Sequence, residues 1–249
     1  MMETQLSQRK AAPFPARTLI VSLILKCAVI LSAVIGVVMS ANAGRGSFMG
    51  GNRVFMYFTI QSNIAIALIC LIGAALMLAG ARIGNGWYAA KFVGTVAITL
   101  TGVVFCFVLA PTMSGNAWSL PNVLTHVVVP LAAVLDFFLT GVYGHIRRKS
   151  VFLVILPPLA YAVYAGIGYA AGWEFADGIR YPYFFLNWGS PAGAFGFTEG
   201  LPYMGCVCWI LAIFLFLMAV GLLYLAVLDR LRKRVGPSPA KCRKDVSAK

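Results

Sequence analysis

Residues 55–78 read FMYFTIQSNIAIALICLIGAALML, a stretch that carries no charged side chain. An α-helix of about 20 apolar residues is long enough to cross the hydrocarbon core of a bilayer. Largely apolar runs of that length occur at about 18–40, 54–80, 88–111, 122–145, 151–171 and 203–229. The sequence therefore predicts an all-α membrane protein, a bundle of six transmembrane helices.

The composition supports this class of protein. Of the 249 residues, 61% are hydrophobic and 11% are charged, and the mean hydropathy is +0.87. A soluble domain would carry about 25% charged residues. We predict one transmembrane domain over 18–229, between a cytoplasmic N-terminal segment at 1–17 and a basic cytoplasmic tail at 230–249.

The net charge of +13 resembles that of a nucleic-acid-binding protein, but the positions of the charges indicate a membrane topology. With a cytoplasmic N-terminus, sixteen of the twenty Lys and Arg residues lie on the cytoplasmic side, Lys91 among them. We expect a multi-pass protein of the plasma membrane with both termini in the cytoplasm. The tail is suited to contact anionic lipids. No nucleic acid is expected as a partner, because no aromatic residues interleave the basic run.

The start of the chain allows a second interpretation. A basic segment ends at Lys26, mostly apolar residues follow, and Ala41-Asn42-Ala43 resembles a signal-peptidase site. Cleavage there would leave five spans and an external N-terminus. We favour six spans, because the run at 18–40 is long enough to cross the bilayer and Lys26 can extend its amine towards the interface.

A group of polar side chains opens the second span. Thr59, Ser62 and Asn63 are spaced so that they share one helical face, whereas Gln61 points elsewhere. If the span enters from outside near residue 54, Thr59 lies about 8 Å below the outer boundary. Polar side chains inside a bilayer need partners and frequently mark function.

His126 lies at a similar depth in the fourth span, about 6–8 Å from its outer end. Asn122 is one turn above it and is expected to orient its ring, while Pro130 removes a backbone hydrogen bond nearby. A threonine hydroxyl becomes a nucleophile when a base takes its proton, and histidine is suited to that task near neutral pH. Thr59 and His126 are therefore a candidate catalytic pair facing one cavity in the outer leaflet.

Two parts of a complete hydrolase site are not evident in the sequence. No carboxylate is placed to orient the histidine. Because the amides of a helix interior are already engaged, an oxyanion would need side-chain donors, for which Asn63, Gln61 and Asn122 are the candidates. Ser62 completes this polar support. The alternative is a non-catalytic cluster whose hydrogen bonds hold the helices together.

Lys26 and Asp136 form a second candidate pair. Counted along their helices, they lie about 12 and 14 Å from the cytoplasmic face. Unpaired charges at such a depth are costly, so we expect the two side chains to meet within the bundle. The structural interpretation is a lock between helices, and the alternative is a proton or ion relay.

The segment 172–200 is expected to form an unusually aromatic loop. It is 29 residues long and holds nine aromatic side chains. A loop this apolar lies in the outer interface or folds back over the bundle. It is either an aromatic belt, or a lid and access surface for an amphiphile.

Three sequence motifs are typical of a known family. They are F-x-Y-F-T-x-Q-S-N at 55–63, T-H-x-x-x-P at 125–130 and Y-P-Y-F-F-L-N at 181–187. In these the chain resembles the Pr6Pr-type bacterial six-pass membrane proteins over nearly its whole length. More distantly, it is similar to the androgen-induced and androgen-dependent integral membrane hydrolases, which cleave fatty acid esters of hydroxy fatty acids with an intramembrane Thr and His. That similarity implies that Thr59 is the nucleophile and His126 the second catalytic residue.

Three functions are consistent with these features. The first is an intramembrane threonine hydrolase that takes a lipid or fatty-acid ester from the outer leaflet, with membrane lipids as its partners. The second is a small transporter or channel that uses the polar outer cavity and the Lys26–Asp136 pair. The third is a non-catalytic lipid-binding or structural protein. Neither a metal nor an organic cofactor is expected, since the six cysteines show no C-x-x-C or metal-ligand spacing.

Overall fold

The computed structural model describes residues 14–44, 51–81, 83–113 and 115–235 of the chain. The long helices run over Ala16–Gly44 (α1), Phe58–Leu78 (α2), Asn85–Thr112 (α3), Leu120–Gly141 (α4), Arg148–Ala170 (α5) and Cys206–Val235 (α6). Each of the six is long and apolar enough to cross a membrane. The predicted all-α bundle of six transmembrane helices is confirmed, and the chain is a multi-pass membrane protein.

The helices α3 and α4 form the centre of the bundle. On one side they pack against α1 and α2 through a core that includes Val29, Ile66 and Val129, all almost fully buried. On the other side they pack against α5 and α6 around Phe92 and Leu217. Since lipid tails are as apolar as these side chains, close packing rather than exclusion from water holds the helices together.

The segment between α5 and α6 covers one end of the bundle, here called the loop end. Phe175 and Phe185 are buried against the helices, whereas Phe195 and Phe197 are 66% and 78% exposed. Of the two expected arrangements, the structure shows the one in which the loop folds back over the bundle. One part folds back over the bundle and another part presents a hydrophobic surface.

The first helix is an integral part of the core. It continues without a break through Ala41-Asn42-Ala43 to Gly44. It also supplies two of the buried side chains that pack against α2 and α4, Val29 and Ala33. Cleavage after Ala43 would remove these side chains from the bundle, so the packing favours the interpretation with six spans.

The second helix begins later than the predicted start near residue 54. Residues Gly51–Met56 form a 3-10 helix, and Tyr57 is extended, with φ −87° and ψ 140°. At this break the chain contacts the loop, where the Tyr57 hydroxyl donates a hydrogen bond of 3.0 Å to the Phe175 carbonyl. As a result, Thr59 lies in the first turn of α2 and not in the helix interior.

Both central helices contain a wider turn near the loop end. Phe105–Leu109 in α3 and Leu124–Val128 in α4 are π-helical. Pro130, which has no N–H to donate, follows the second of these turns. The two backbones approach closely here, since a side chain at Gly102 would come within 2.8 Å of the His126 carbonyl oxygen. The wider turn that carries His126 therefore lies directly before the proline and against the backbone of α3.

Candidate active site

Thr59 occupies the second position of α2, where a backbone amide has no partner within the helix. The amide donates instead to the hydroxyl of Tyr183 in the loop, at 3.3 Å. The Thr59 hydroxyl lies 3.4 Å from the same Tyr183 oxygen. The expected position of Thr59 in a helix interior is therefore wrong, because Thr59 lies in the first turn and its amide bonds to the loop instead of to the helix. The backbone N–H of Thr59 and the phenol hydroxyl of Tyr183 are thus in contact.

His126 lies in the π turn of α4 and is almost fully buried. Its Nδ1 is 2.9 Å from the Asn122 carbonyl oxygen and 3.1 Å from the Thr125 hydroxyl. Since a carbonyl oxygen only accepts, Nδ1 carries the proton, and Nε2 is the basic nitrogen of the neutral ring. Phe105 stacks on the imidazole, with ring centroids 3.8 Å apart and 19° between the planes, and this contact fixes the ring.

Asn122 contacts the histidine ring, but its side chain takes no part in this contact. Its backbone carbonyl is the group that accepts the hydrogen bond from His126. Its side-chain amide donates to the Ala117 carbonyl at 2.9 Å, in the connection between α3 and α4. The type of residue at this position gives no sign of a backbone contact, so the sequence could not reveal it.

Thr59 and His126 line the same cavity at the loop end of the bundle. Its volume is about 500 Å³. Further polar side chains along its wall are Tyr57, Asn122, Thr125 and Tyr183. Among the described residues, no hydrogen bond joins the two candidate catalytic side chains, because the Thr59 hydroxyl faces Tyr183 instead. Catalytic hydrogen bonds are often loose in a free enzyme and tighten when the substrate binds.

The polar residues that follow Thr59 in α2 support the backbone. Asn63 is fully buried, and its side-chain nitrogen donates to the Thr59 carbonyl at 2.8 Å and to the Thr125 carbonyl at 3.1 Å. Ser62 donates to the Thr59 carbonyl at 3.0 Å. Gln61 is exposed on another face of the helix. One nitrogen thus connects the two backbone segments that carry the candidate catalytic residues.

These contacts change the roles expected of the polar support. Both hydrogens of the Asn63 amide are used by carbonyls, so Asn63 has no donor left for an oxyanion. Gln61 donates to the Phe55 carbonyl at 3.2 Å and turns away from Thr59, as its spacing predicts. We therefore regard Asn63 and Ser62 as residues that position the site, and Gln61 as lying outside it.

Tyr183 is the site residue that the spacing of polar side chains did not reveal. Its ring stacks on Phe185 with centroids 5.0 Å apart and 6° between the planes. Burial raises the pKa of Tyr183, so its hydroxyl keeps its proton and can donate at neutral pH. The motif at 181–187 contains this tyrosine. Which of the loop's aromatic residues returns to α2 depends on tertiary packing that the motif does not encode.

Lys26 and Asp136 are in contact within the bundle. The Lys26 amine donates to the two carboxylate oxygens at 2.8 and 2.7 Å, and the Ser22 hydroxyl donates to the same carboxylate at 2.5 Å. Lys91 joins them, since its amine lies 2.5 Å from an Asp136 carboxylate oxygen and 2.6 Å from the Thr140 hydroxyl. We name Lys26, Lys91 and Asp136 the charge triad. It connects α1, α3 and α4.

The position of Lys91 corrects its assignment to the cytoplasmic surface. The third helix begins at Asn85, before the predicted start at residue 88, so Lys91 lies about 9 Å along it. Its side chain is buried with the carboxylate. Asp136 follows His126 by about 15 Å along α4. The triad is therefore separate from the candidate active site, and Asp136 is not the carboxylate that orients the histidine.

Within the part of the chain that the structure describes, no three His, Cys, Asp or Glu side chains are grouped so that they could hold a metal ion. Comparison of the chain with protein-family models, curated proteins and solved structures finds no match. The resemblance to the Pr6Pr-type proteins and to the intramembrane hydrolases stays a prediction, and function has to be inferred from the geometry of the site.

Proposed function

We propose that the protein is an intramembrane hydrolase of a lipid or fatty-acid ester, with Thr59 as the nucleophile and His126 as the base. One observation carries this proposal. Both side chains line a single cavity, and the imidazole is held by its Nδ1 so that Nε2 is free to accept a proton. The reaction uses neither a metal nor an organic cofactor.

In the first half of the reaction, Nε2 of His126 takes the proton of the Thr59 hydroxyl while the oxygen attacks the ester carbonyl carbon. The negative charge on the carbonyl oxygen is stabilised by the Tyr183 hydroxyl and by the Thr59 amide N–H, which exchanges its hydrogen bond to the Tyr183 oxygen for one to the substrate. Collapse of the tetrahedral intermediate breaks the C–O bond of the ester, and the leaving alcohol takes the proton from Nε2. The acyl group is then esterified to Thr59.

A water molecule completes the reaction. Nε2 removes a proton from the water while the water oxygen attacks the acyl carbon, and the same two donors stabilise the second oxyanion. Breaking the bond to Thr59 releases a fatty acid and returns the proton to the threonine hydroxyl. In both halves the Asn122 carbonyl accepts from Nδ1 and stabilises the imidazolium, the role that a carboxylate has in a Ser-His-Asp triad.

The proposed topology places this cavity in the outer leaflet of the plasma membrane. With Lys91 set aside because it is buried in the charge triad, fifteen of the twenty basic residues still lie on one side. This bias supports cytoplasmic termini, and the loop end then faces outwards. A lipid ester reaches the site from the outer leaflet along the exposed aromatic surface of the loop, which includes Phe195 and Phe197. The basic tail contacts anionic lipids of the inner leaflet.

Labelling with a fluorophosphonate tests the assignment of both residues. The probe reacts with an activated hydroxyl, so the wild-type protein in detergent should be labelled, and Thr59→Ala and His126→Ala should lose the label. Gln61→Ala is the matched control, because Gln61 is in the same helical turn but points away from the cavity. Equal labelling of Thr59→Ala and wild type, or no labelling together with no ester turnover across a panel of lipids, would refute the proposal.

A transporter or channel is the second candidate function, favoured by the burial of three charges in the charge triad. Each of these groups is hydrogen-bonded to its neighbours, including the Ser22 and Thr140 hydroxyls. A set of charges satisfied in this way is better suited to hold helices together than to pass an ion along. We therefore infer that the triad is a structural lock.

A further inference from the structure

A long groove lies on the flank of the bundle between α2, α3 and α5. Its volume is about 820 Å³. The floor of the groove is one face of α3, on which small side chains predominate: Gly86, Ala89, Ala90, Val93, Gly94 and Ala97. Leu153 and Leu156 of the α5 wall are exposed, so the groove is open to the bilayer. We name it the side groove.

The polarity of the side groove differs between its two ends. Its polar side chains are all in the half nearer to the loop, and they are Gln61, Ser62, Tyr161 and Tyr164. In the half remote from the loop, the lining consists of hydrocarbon side chains and glycines. Because this lining offers water too few polar partners, an apolar ligand fills it better than water does.

A basic segment lies at the remote end of the side groove. The connection between α4 and α5 packs against the first turn of α3, since Gly144 lies directly against the Tyr88 ring. Residues 147–149, which read Arg-Arg-Lys, follow in this connection, and all three are exposed. We name them the basic turn. Since α5 begins at Arg148 and lines the groove from Leu153 onwards, the basic turn lies at the end of the groove that is remote from the loop.

Two charges of the basic turn are available to a ligand. Arg148 lies 3.4 Å from the Asp229 carboxylate of α6. Among the described residues, no acidic side chain forms an ion pair with Arg147 or Lys149. An apolar groove that ends beside two exposed cations is complementary to a molecule that has a hydrocarbon chain and an anionic head. A phospholipid with a net negative charge has both parts.

We propose that the side groove and the basic turn together bind an anionic phospholipid from the leaflet at the remote end of the bundle. Its head contacts Arg147 and Lys149, and one acyl chain lies along the floor formed by α3. With the proposed topology this leaflet is the inner one. The inference does not depend on the proposed hydrolase, because neither Thr59 nor His126 lines the side groove.

Lipid titration followed by native mass spectrometry tests the contact with the head. The full-length protein is delipidated in detergent and then given phosphatidylglycerol or phosphatidylcholine with the same acyl chains. The wild-type protein should bind phosphatidylglycerol more tightly. Arg147→Gln and Lys149→Gln should each weaken its binding by about fivefold, which is the usual contribution of a basic residue near an anionic membrane surface.

Arg180→Gln is the matched control for the head. It also removes one exposed cation, but from the loop that covers the opposite end of the bundle. The affinity for phosphatidylglycerol should therefore stay at the wild-type value. Equal affinities of the wild-type protein for the two lipids, or a preference for phosphatidylglycerol that survives in the Arg147→Gln, Lys149→Gln double variant, would overturn the proposal.

Filling the side groove tests the contact with the acyl chain. Ala90→Phe puts a ring onto its floor, whereas Ala226→Phe puts the same ring onto an exposed position of α6 that does not line the groove. Ala90→Phe should lower the affinity for phosphatidylglycerol by about fivefold or more, because the chain loses its packing contacts with the helices. Ala226→Phe should leave it unchanged. No loss in Ala90→Phe, or an equal loss in both variants, means that no chain lies in the groove.

A milder variant covers the case in which Ala90→Phe does not fold. Among the described residues, a Cβ at Gly86 would meet no atom within 4 Å outside its own turn of helix, so Gly86→Leu narrows the groove without a clash. It should weaken the binding of phosphatidylglycerol in the same direction. If Gly86→Leu folds and binds this lipid like the wild-type protein, the groove is not a lipid site.

The same spectra distinguish two other occupants. Displacement of phosphatidylglycerol by water-soluble glycerophosphate at equal concentration would show that the head alone is bound, and the groove would have no part in binding. A wild-type dimer that Ala90→Phe converts to a monomer would show that a helix of a second copy fills the groove. Either result overturns the proposal, whereas a monomer that retains one phosphatidylglycerol and is unaffected by glycerophosphate supports it.

Discussion

At His126, a backbone carbonyl stands where a Ser-His-Asp triad has a carboxylate. The Asn122 carbonyl fixes the tautomer, since it accepts from Nδ1 and leaves Nε2 free. A neutral carbonyl stabilises the imidazolium less than a carboxylate does. It is also less costly to bury in a bilayer, because a carboxylate without a cation would lose its hydration. The arrangement suits a base that works within the membrane.

Tyr183 provides a residue-scale prediction. Tyr183→Phe removes the hydroxyl that meets the Thr59 amide and hydroxyl, but it keeps the ring that stacks on Phe185. Loss of one oxyanion donor should lower kcat by about a hundredfold. The measurement is ester turnover by the purified variant, with its melting temperature in detergent as the control for folding. A Tyr183→Phe variant that folds and has the wild-type kcat would exclude Tyr183 as an oxyanion donor.

The surroundings of a residue could be predicted from the sequence where its type and its depth in the bilayer determine them. Thr59 and His126 could be placed at one cavity from the sequence because each is a polar side chain at a similar distance from a span end. Tyr183 and the carbonyl of Asn122 could not, because their roles depend on how the loop folds back and on a backbone contact. Lys91 was misplaced because a basic residue near a span end is usually interfacial.

At the scale of elements, the six spans were readable because a bilayer requires about 20 apolar residues per helix. The local breaks within these spans could not be predicted, since an apolar run has the same hydropathy whether its helix is regular or interrupted. The extended residue Tyr57 and the π turn at Leu124–Val128 are such breaks. Both affect the site directly, because the first puts Thr59 in the first turn of α2, where its amide bonds to Tyr183, and the second carries His126.

The charge triad gives an element-scale prediction, because it ties α1, α3 and α4 together. Asp136→Asn leaves two buried ammonium groups without their carboxylate and should destabilise the bundle by about 3–5 kcal/mol. Lys26→Met and Lys91→Met should each cost less, because one lysine still pairs with Asp136. Their combination should cost more than the sum of the two, since it leaves the carboxylate unpaired.

The measurement for the triad is the melting temperature of each variant in detergent. A wild-type melting temperature for Asp136→Asn would show that the triad does not lock the helices. The transport alternative is tested on the same variant in proteoliposomes. If wild-type protein carries a pH-dependent flux that Asp136→Asn abolishes while its stability is unchanged, the triad belongs to an ion path and the structural assignment is wrong.

On the scale of the whole molecule, the bundle separates two kinds of polar site. The cavity that contains Thr59 and His126 lies at the loop end, and the charge triad lies about 15 Å deeper along α4. The triad holds three helices together, and the loop that supplies Tyr183 covers the opposite half of the bundle.

The covalent role of Thr59 is the step on which the other proposals about catalysis depend. The most direct measurement is to mix the full-length protein with nitrophenyl palmitate, to stop the reaction with acid, and to map the acylated peptide by mass spectrometry. We expect a palmitoyl group on Thr59 in the wild-type protein, and neither this group nor ester turnover in Thr59→Ala. Ester turnover that persists in Thr59→Ala, with no acyl group on Thr59 of the wild-type protein, would contradict the proposed mechanism.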